Sequence, residues 1–285
     1  MKSEFRWQFT MGKKQYWNSE AKNKRWIKEG RGQGTGSNYK PWLTVRDVAS
    51  EGRSHRVFGH ITRRTHHLLS DLELASFLLL QWRPTTTDIR EQFPLDRALT
   101  LEISKQLGVQ HPNHQGLDQY MSSDFVVDTQ EKEQPRFAIQ VKSIEAFSDP
   151  RTIEKLEIEK LYWREKGVPF YWITENQIPP IVFENINLLY NHIDDDDEDL
   201  DEHLIQLEIF NKHLKESEDL RVKDVCMKLD LSYDHEPGES LYQMKRLLAK
   251  RYLHFDIAKP FIQLRCSDIT IEAVDVLKEG WCVSS

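Results

Sequence analysis

No run of about 18 apolar residues occurs in this 285-residue chain, so no segment reads as a membrane span. The first residues, Met1 to Trp7, are charged from the start and lack the apolar core of a signal peptide. Cysteine is scarce: Cys226, Cys266 and Cys282 are odd in number, widely spaced and never form a CxxC pair. This argues against a disulfide scaffold or a cysteine zinc cluster, and suits a reducing cytoplasm in which the three are small buried side chains. The glycines from Gly30 to Gly36 are not followed by GK[ST] and have no strand before them, so they do not form a phosphate-cradling loop. His55, His60, His66 and His67 cluster without HExxH spacing and read as surface or hydrogen-bonding residues. The acidic run at 194–199 lacks the glycine and terminal glutamate placement of a calcium loop and reads as a solvated linker.

What is present is aromatic content of 11%, including eight Trp, and a length that favours two folded domains. The net charge of −7 conceals a segregation of sign. Residues 1–67 carry fifteen Lys/Arg against five Asp/Glu, and the remainder carries 24 against 41. A separation of this size points to a polyanion for the N-terminal third, or to a merely solvated basic surface. Within it, Lys22 to Lys28 reads as a short amphipathic helix running into a mobile glycine loop at Arg31. Lys22, Lys24, Arg25, Lys28 and Arg31 are therefore the candidate DNA-backbone contacts, which would position rather than specify.

The apolar patterning alternates between strand and helix. Short strands are expected at Trp42–Val45 and Arg56–Phe58, a helix from Leu68 to Trp82, a strand at Asp88–Leu95 and a helix from Thr100 to Leu107. The helix at 152–166, with Ile153, Leu156, Leu161 and Trp163 as its buried side, and the strand at 169–174 complete a βαβ crossover. Ile178 to Ile181 reads as the exit from a first domain and Val182 to Tyr190 as a connecting helix. Three further helices follow, at 201–215, 220–229 and 240–251. Two short runs at 252–256 and 267–271 could pair as a wing. The expected organisation is 1–177, a connection at 178–200, a smaller helical domain at 201–271 and a tail at 272–285 that could dock on a partner.

The chemistry gathers on Ser123–Asp128 and Phe137–Lys142, two Val/Ile/Phe-rich runs separated by a charged loop with Pro135. An antiparallel hairpin with Asp128 near Ala138 would set Asp124 opposite Lys142, with Gln140 on the same face. Asp124 followed by Gln140-Val141-Lys142 is the sparse PD-(D/E)xK pattern of metal-dependent nucleases, though by spacing alone it reads first as a structural ion pair between Asp124 and Lys142. Glu73 has a similar double reading. Ser70-Asp71-Leu72-Glu73 fits a capping box, yet Glu73 lies on the face of Phe77 and Leu80, where a buried carboxylate needs a partner or a cation.

Blocks of sequence extend this pattern: Arg31 to Gly34, Tyr39 to Val45, His66 to Ala75, Asp88 to Leu95, Met121 to Phe125 and Ala138 to Lys142. Together they resemble the TnsA endonuclease subunit of heteromeric bacterial transposases, densely over residues 25–190. The resemblance implies an α/β fold with a restriction-endonuclease-like mixed sheet and flanking helices, followed by a smaller winged-helix domain. It implies Glu73, Asp124 and Lys142 as catalytic residues, and Glu73, Asp124, Gln140 and the Val141 carbonyl around one or two Mg²⁺, with Mn²⁺ as substitute. It also implies cleavage of the 5′ strands of double-stranded DNA at transposon ends, beside a DDE transposase, TnsB, and an AAA+ regulator, TnsC. The rivals are an autonomous restriction or repair nuclease and a non-catalytic adaptor bridging DNA and transposase.

Overall fold

A computed structural model of the chain describes residues 17–48, 53–193 and 200–271. The acidic run, the tail and Cys282 lie outside the described residues. The chain divides into two compact units on either side of the Ile178–Pro179 bond.

In the first unit, α1 (Glu20–Lys28) is capped by Ser19 and buries Trp26. Trp26 packs with Trp42, Leu43, Val48 and Leu69 in a satellite core, the two tryptophans meeting edge to face at 5.1 Å. That packing explains why Trp42–Val45 is not a strand. The segment bends and turns, and Trp42 is an anchor whose amide donates to the Gln92 carbonyl at 3.1 Å. A hairpin follows, β1 (His55–Gly59) with β2 (Arg64–Leu68), and then α2 (Asp71–Trp82), which is apolar on most sides and largely buried.

The main sheet contains β3 (Thr86–Pro94). It continues after α3 (Arg97–Leu107) and a small ladder of β4 (Asn113–His114) with β5 (Leu117–Asp118). Strands β6 (Ser122–Thr129) and β7 (Arg136–Val141) form the hairpin read from the sequence, and α4 (Pro150–Glu165) leads to β8 (Phe170–Ile173). The order is β3-β6-β7-β8, antiparallel except for β7 with β8. The sheet is therefore mixed, and the β7-α4-β8 connection is the parallel crossover that the strand-helix-strand spacing required. Val126 and Ala138 join Leu95, Ile103, Ile158, Tyr162 and Trp163 in the core between sheet and helices. On α4 the inward stripe is Leu156, Ile158, Glu159, Tyr162 and Trp163, whereas Ile153 is exposed.

The hairpin register differs from expectation by two residues. Phe125 pairs with Ile139 and Asp128 with Arg136, which continues to Asp124 beside Gln140 rather than Lys142. Two residues is one full side-chain period, so the shift leaves the matching of faces intact. At the loop end of the hairpin, Arg136 forms a fork to Asp128 through Nε and an Nη2 bond of 2.9 Å, which is consistent with this register.

The second unit comprises α5 (Pro180–Tyr190), α6 (Leu200–Glu216), α7 (Val222–Ser232) and α8 (Glu239–Ala249), with a two-residue antiparallel ladder, β9 (Leu253–His254) and β10 (Thr270–Ile271). Helix α5 belongs to this unit: the Asn185 side chain donates to the Ile257 and Lys259 carbonyls and accepts from the Phe261 amide. Asp230, near the end of α7, receives the amides of Gly238 and Ser240, both at 2.8 Å. Gly238, at φ 96°, supplies the left-handed turn that brings α8 back onto α7. Phe210, Leu229, Met244 and Leu247 are buried in this unit. Cys226 and Cys266 are buried free thiols, and burial pushes Cys226 up to about 12.

Candidate active site

Glu73 is placed by the first turn of α2. Ser70 Oγ accepts the Glu73 amide at 3.1 Å, as a cap should, and donates to Glu73 Oε1 at 3.2 Å. Glu73 Oε2 reaches one residue further back than in the standard box and accepts the Leu69 amide at 2.8 Å. The cap and the buried-acid readings are thus both true of one side chain, which is 1% exposed.

Asp124 comes from the beginning of β6 and is 3% exposed. Its Oδ2 accepts the Val141 amide at 2.8 Å and lies 3.5 Å from Lys142 Nζ. Its own amide donates to Gln140 Oε1 at 3.0 Å. Gln140 thereby locks the strand end, with its amide oxygen directed to the backbone. Lys142 follows β7, where its amide is tied to the Ile173 carbonyl of β8 at 2.9 Å. The Lys142 ammonium donates to the Val141 carbonyl at 2.9 Å and its side chain remains 25% exposed. Of the residues singled out in the sequence, Asp124, Gln140, Val141 and Lys142 form one contiguous cluster.

Glu73 joins that cluster through a residue that the sequence pattern does not single out. Gln92 Nε2 donates to Glu73 Oε2 at 3.3 Å and to Asp124 Oδ1 at 3.1 Å. Gln92 sits in β3 with φ 48°, the left-handed region, which costs a non-glycine residue about 1 kcal/mol or more. A second unassigned residue is Glu159 of α4, 3% exposed, which accepts from Ser123 Oγ at 2.6 Å. Ser123 Oγ accepts in turn from Trp163 Nε1 at 2.8 Å. Burial pushes the Glu159 carboxyl up to about 8, overriding the Ser123 bond and the Lys142 charge that favour ionisation, with Asp124 adding to the rise. At neutral pH Glu159 is mostly a neutral acid. Its signal in the sequence is a carboxylate inside the Leu156–Trp163 stripe; Gln92 has none, because its backbone geometry and its two partners are tertiary.

Two buried carboxylates beside one ammonium leave an excess of negative charge in a low-dielectric place, and all the nearby acceptors are hard oxygens. This donor set fits Mg²⁺ or Mn²⁺ rather than a soft metal. Glu73, Asp124 and the Val141 carbonyl are the groups suited to hold such an ion. Among the described residues no group of three or more His, Cys, Asp and Glu side chains forms a metal cluster, so a main-chain or amide oxygen would have to complete the set. His66, fully buried, serves Glu91 at 2.8 Å and Thr62 at 2.6 Å instead.

The basic N-terminal residues separate into two groups. Lys24, Arg25 and Lys28 are exposed on α1. Lys22 Nζ lies 4.7 Å from the Trp26 ring centre. Arg31 is not the tip of a mobile basic loop. Its guanidinium stacks over Trp26 at 4.1 Å, pairs with Asp47 at 2.7 Å and donates to the Trp42 carbonyl at 3.0 Å. These contacts fasten α1 to the following segment and give Arg31 a structural role.

A mixed sheet with two carboxylates, a glutamine pair and a lysine gathered at the end of its central hairpin is the scaffold of a DNA endonuclease. The family is specific. Residues 83–175 match the model of the TnsA-like endonuclease N-terminal domain and residues 177–257 that of the TnsA endonuclease C-terminal domain. The chain is 46% identical over 261 residues to the transposon Tn7 transposition protein TnsA of Escherichia coli, covering 92% of this chain and 95% of that relative. The chain belongs to the TnsA endonuclease family, and the reading of it as a transposase endonuclease subunit holds.

Proposed function

We propose that this endonuclease subunit hydrolyses the 5′, non-transferred strand at each transposon end. The observation that carries the reading is the convergence of Glu73 and Asp124 through one bridging amide, with Lys142 Nζ 3.5 Å from Asp124 at the end of the central hairpin. Glu73, Asp124 and the Val141 carbonyl would hold Mg²⁺, which would neutralise phosphate charge and lower the pKa of water. Gln140 positions Asp124 through its amide. Lys142, the partly exposed cation of the cluster, orients the attacking water and is held in place by the Val141 carbonyl. The remaining features fit this role: a restriction-endonuclease-like sheet, a winged-helix second unit built on α6 to α8 with the β9–β10 ladder, and Lys24, Arg25 and Lys28 against phosphates. The partners are a TnsB-type DDE transposase and a TnsC-type AAA+ regulator, in the bacterial cytoplasm. No helix among the described residues is long and apolar enough to cross a membrane.

The test is a reconstituted reaction with the partner transposase, transposon-end DNA and Mg²⁺. Asp124→Ala and Lys142→Ala are expected to abolish 5′ cleavage while binding the partner like the wild type. Full 5′ cleavage by either variant would overturn the assignment, and cleavage in the absence of the partner would make the protein an autonomous nuclease.

A further inference from the structure

The Gln92 side chain is held where its amide meets both acids of the site, on a backbone that a strand does not ordinarily adopt. Its neighbours Glu91 and Phe93 keep the regular antiparallel register with Phe125 and Ser123. The left-handed φ of 48° is therefore local to Gln92. Its carbonyl leaves the sheet for the Trp42 amide at 3.1 Å, and its side-chain oxygen accepts from Ser122 Oγ at 3.4 Å. The residue is 2% exposed. With that oxygen toward Ser122, the amide nitrogen, a donor only, faces the acids and donates at 3.3 and 3.1 Å to oxygens of two different carboxylates. A strained backbone at a fixed donor between two like charges is a constraint the fold maintains against local preference.

We infer that Gln92 is a positioning residue that stands in for the cation: in the metal-free protein its amide bridges Glu73 and Asp124, and a divalent ion takes over that bridge on binding. The partial positive charge of an amide N–H₂ is a weak means of holding two buried carboxylates together without a metal. It sets their separation in advance and yields to a full charge. This role rests on the reading of Glu73 and Asp124 as the metal-holding pair.

The test uses the full chain with Mn²⁺ alone, without DNA. Thermal unfolding is followed with and without the ion, and binding is read from the electron paramagnetic resonance signal of free Mn²⁺. Gln92→Gly keeps the left-handed backbone at no steric cost and removes the amide. It should melt several degrees below wild type in the absence of metal, approach wild type when Mn²⁺ is saturating, and bind Mn²⁺ at least fivefold more tightly. Gln92→Lys puts a full cation in the same place and should melt no lower than wild type without metal while binding Mn²⁺ at least tenfold more weakly. Should Gln92→Gly fail to fold without metal, Gln92→Lys still decides. Wild-type Mn²⁺ affinity in the variants overturns this inference alone. A wild-type chain that binds no Mn²⁺ overturns the metal reading and this inference together.

Discussion

Each acidic side chain around the site is governed by its own neighbours. Glu73 and Asp124 are surrounded by donors, from Leu69, Ser70 and Gln92 for the first and Val141, Gln92 and Lys142 for the second. Glu159, one hydrogen bond from Ser123, has its pKa raised to about 8 by burial. A carboxyl that stays protonated in the fold but ionises in the unfolded chain makes folding less favourable as pH rises from about 4.5, and the loss levels off above about 8, at most about 1.4 kcal/mol per pH unit. Glu159→Gln removes that titration and keeps the shape. Its melting temperature should exceed wild type at pH 8 and the advantage should vanish toward pH 4.5, measured by thermal unfolding across that range. An advantage independent of pH would show that Glu159 is not the buried neutral acid described.

At the scale of elements, β3 is the strand that carries the most polar work. Glu91 is fully buried and is held by the Arg64 guanidinium, at 2.8 and 2.6 Å, and by His66 Nδ1 at 2.8 Å. Burial opposes its ionisation, but His66 and Arg64 outweigh that and hold the carboxyl well below the usual range. Its contribution is thus complete at neutral pH and is lost progressively as pH falls below about 4.5. This network fastens the β1–β2 hairpin to the sheet, and the next residue along β3 is Gln92. Glu91→Gln leaves Arg64 and His66 without their anion and should cost about 3 to 5 kcal/mol, read as a drop of roughly 10 °C in melting temperature. A change below about 2 °C, under 1 kcal/mol for a domain of this size, would mean that the hairpin is held by packing alone.

Over the whole molecule, charge is separated along the chain, and the basic part of unit one divides between structure and surface. Arg31 is a fastener, whereas Lys24, Arg25 and Lys28 are exposed on α1. Replacing these three by Gln should weaken binding to transposon-end DNA and lower the slope of log affinity against log salt by up to about 0.9 for each phosphate that is no longer neutralised. Arg31→Gln should instead lower thermal stability. An unchanged slope in the triple variant would place the DNA elsewhere and leave α1 a surface for protein.

The turn at Trp42–Val45, β2 and the β4–β5 ladder were not legible in the sequence. The hairpin at 122–141, the crossover to β8, the three helices with a short ladder and most of the remaining order were legible, because each rests on local alternation, helical periodicity or turn residues. So were Asp124, Gln140 and Lys142, since a hairpin necessarily brings its two arms together, and even a two-residue error of register preserves the matching faces. Glu73 was legible as an acid in an apolar helix but not as the partner of Asp124. Nothing local could reveal Gln92, whose significance lies in a left-handed residue in a strand facing carboxylates 19 and 32 positions away. Nor could it show that Trp42 is an anchor or that Arg31 is bound over Trp26. Those depend on which surfaces exclude water from one another. Local patterning is enough to mark most of the elements and the polar residues that gather at the end of the β6–β7 hairpin. Which charges face solvent, which are consumed in the fold, and which amide holds two buried carboxylates together follow only from the packing of distant segments, because burial is what gives each of those groups its partners.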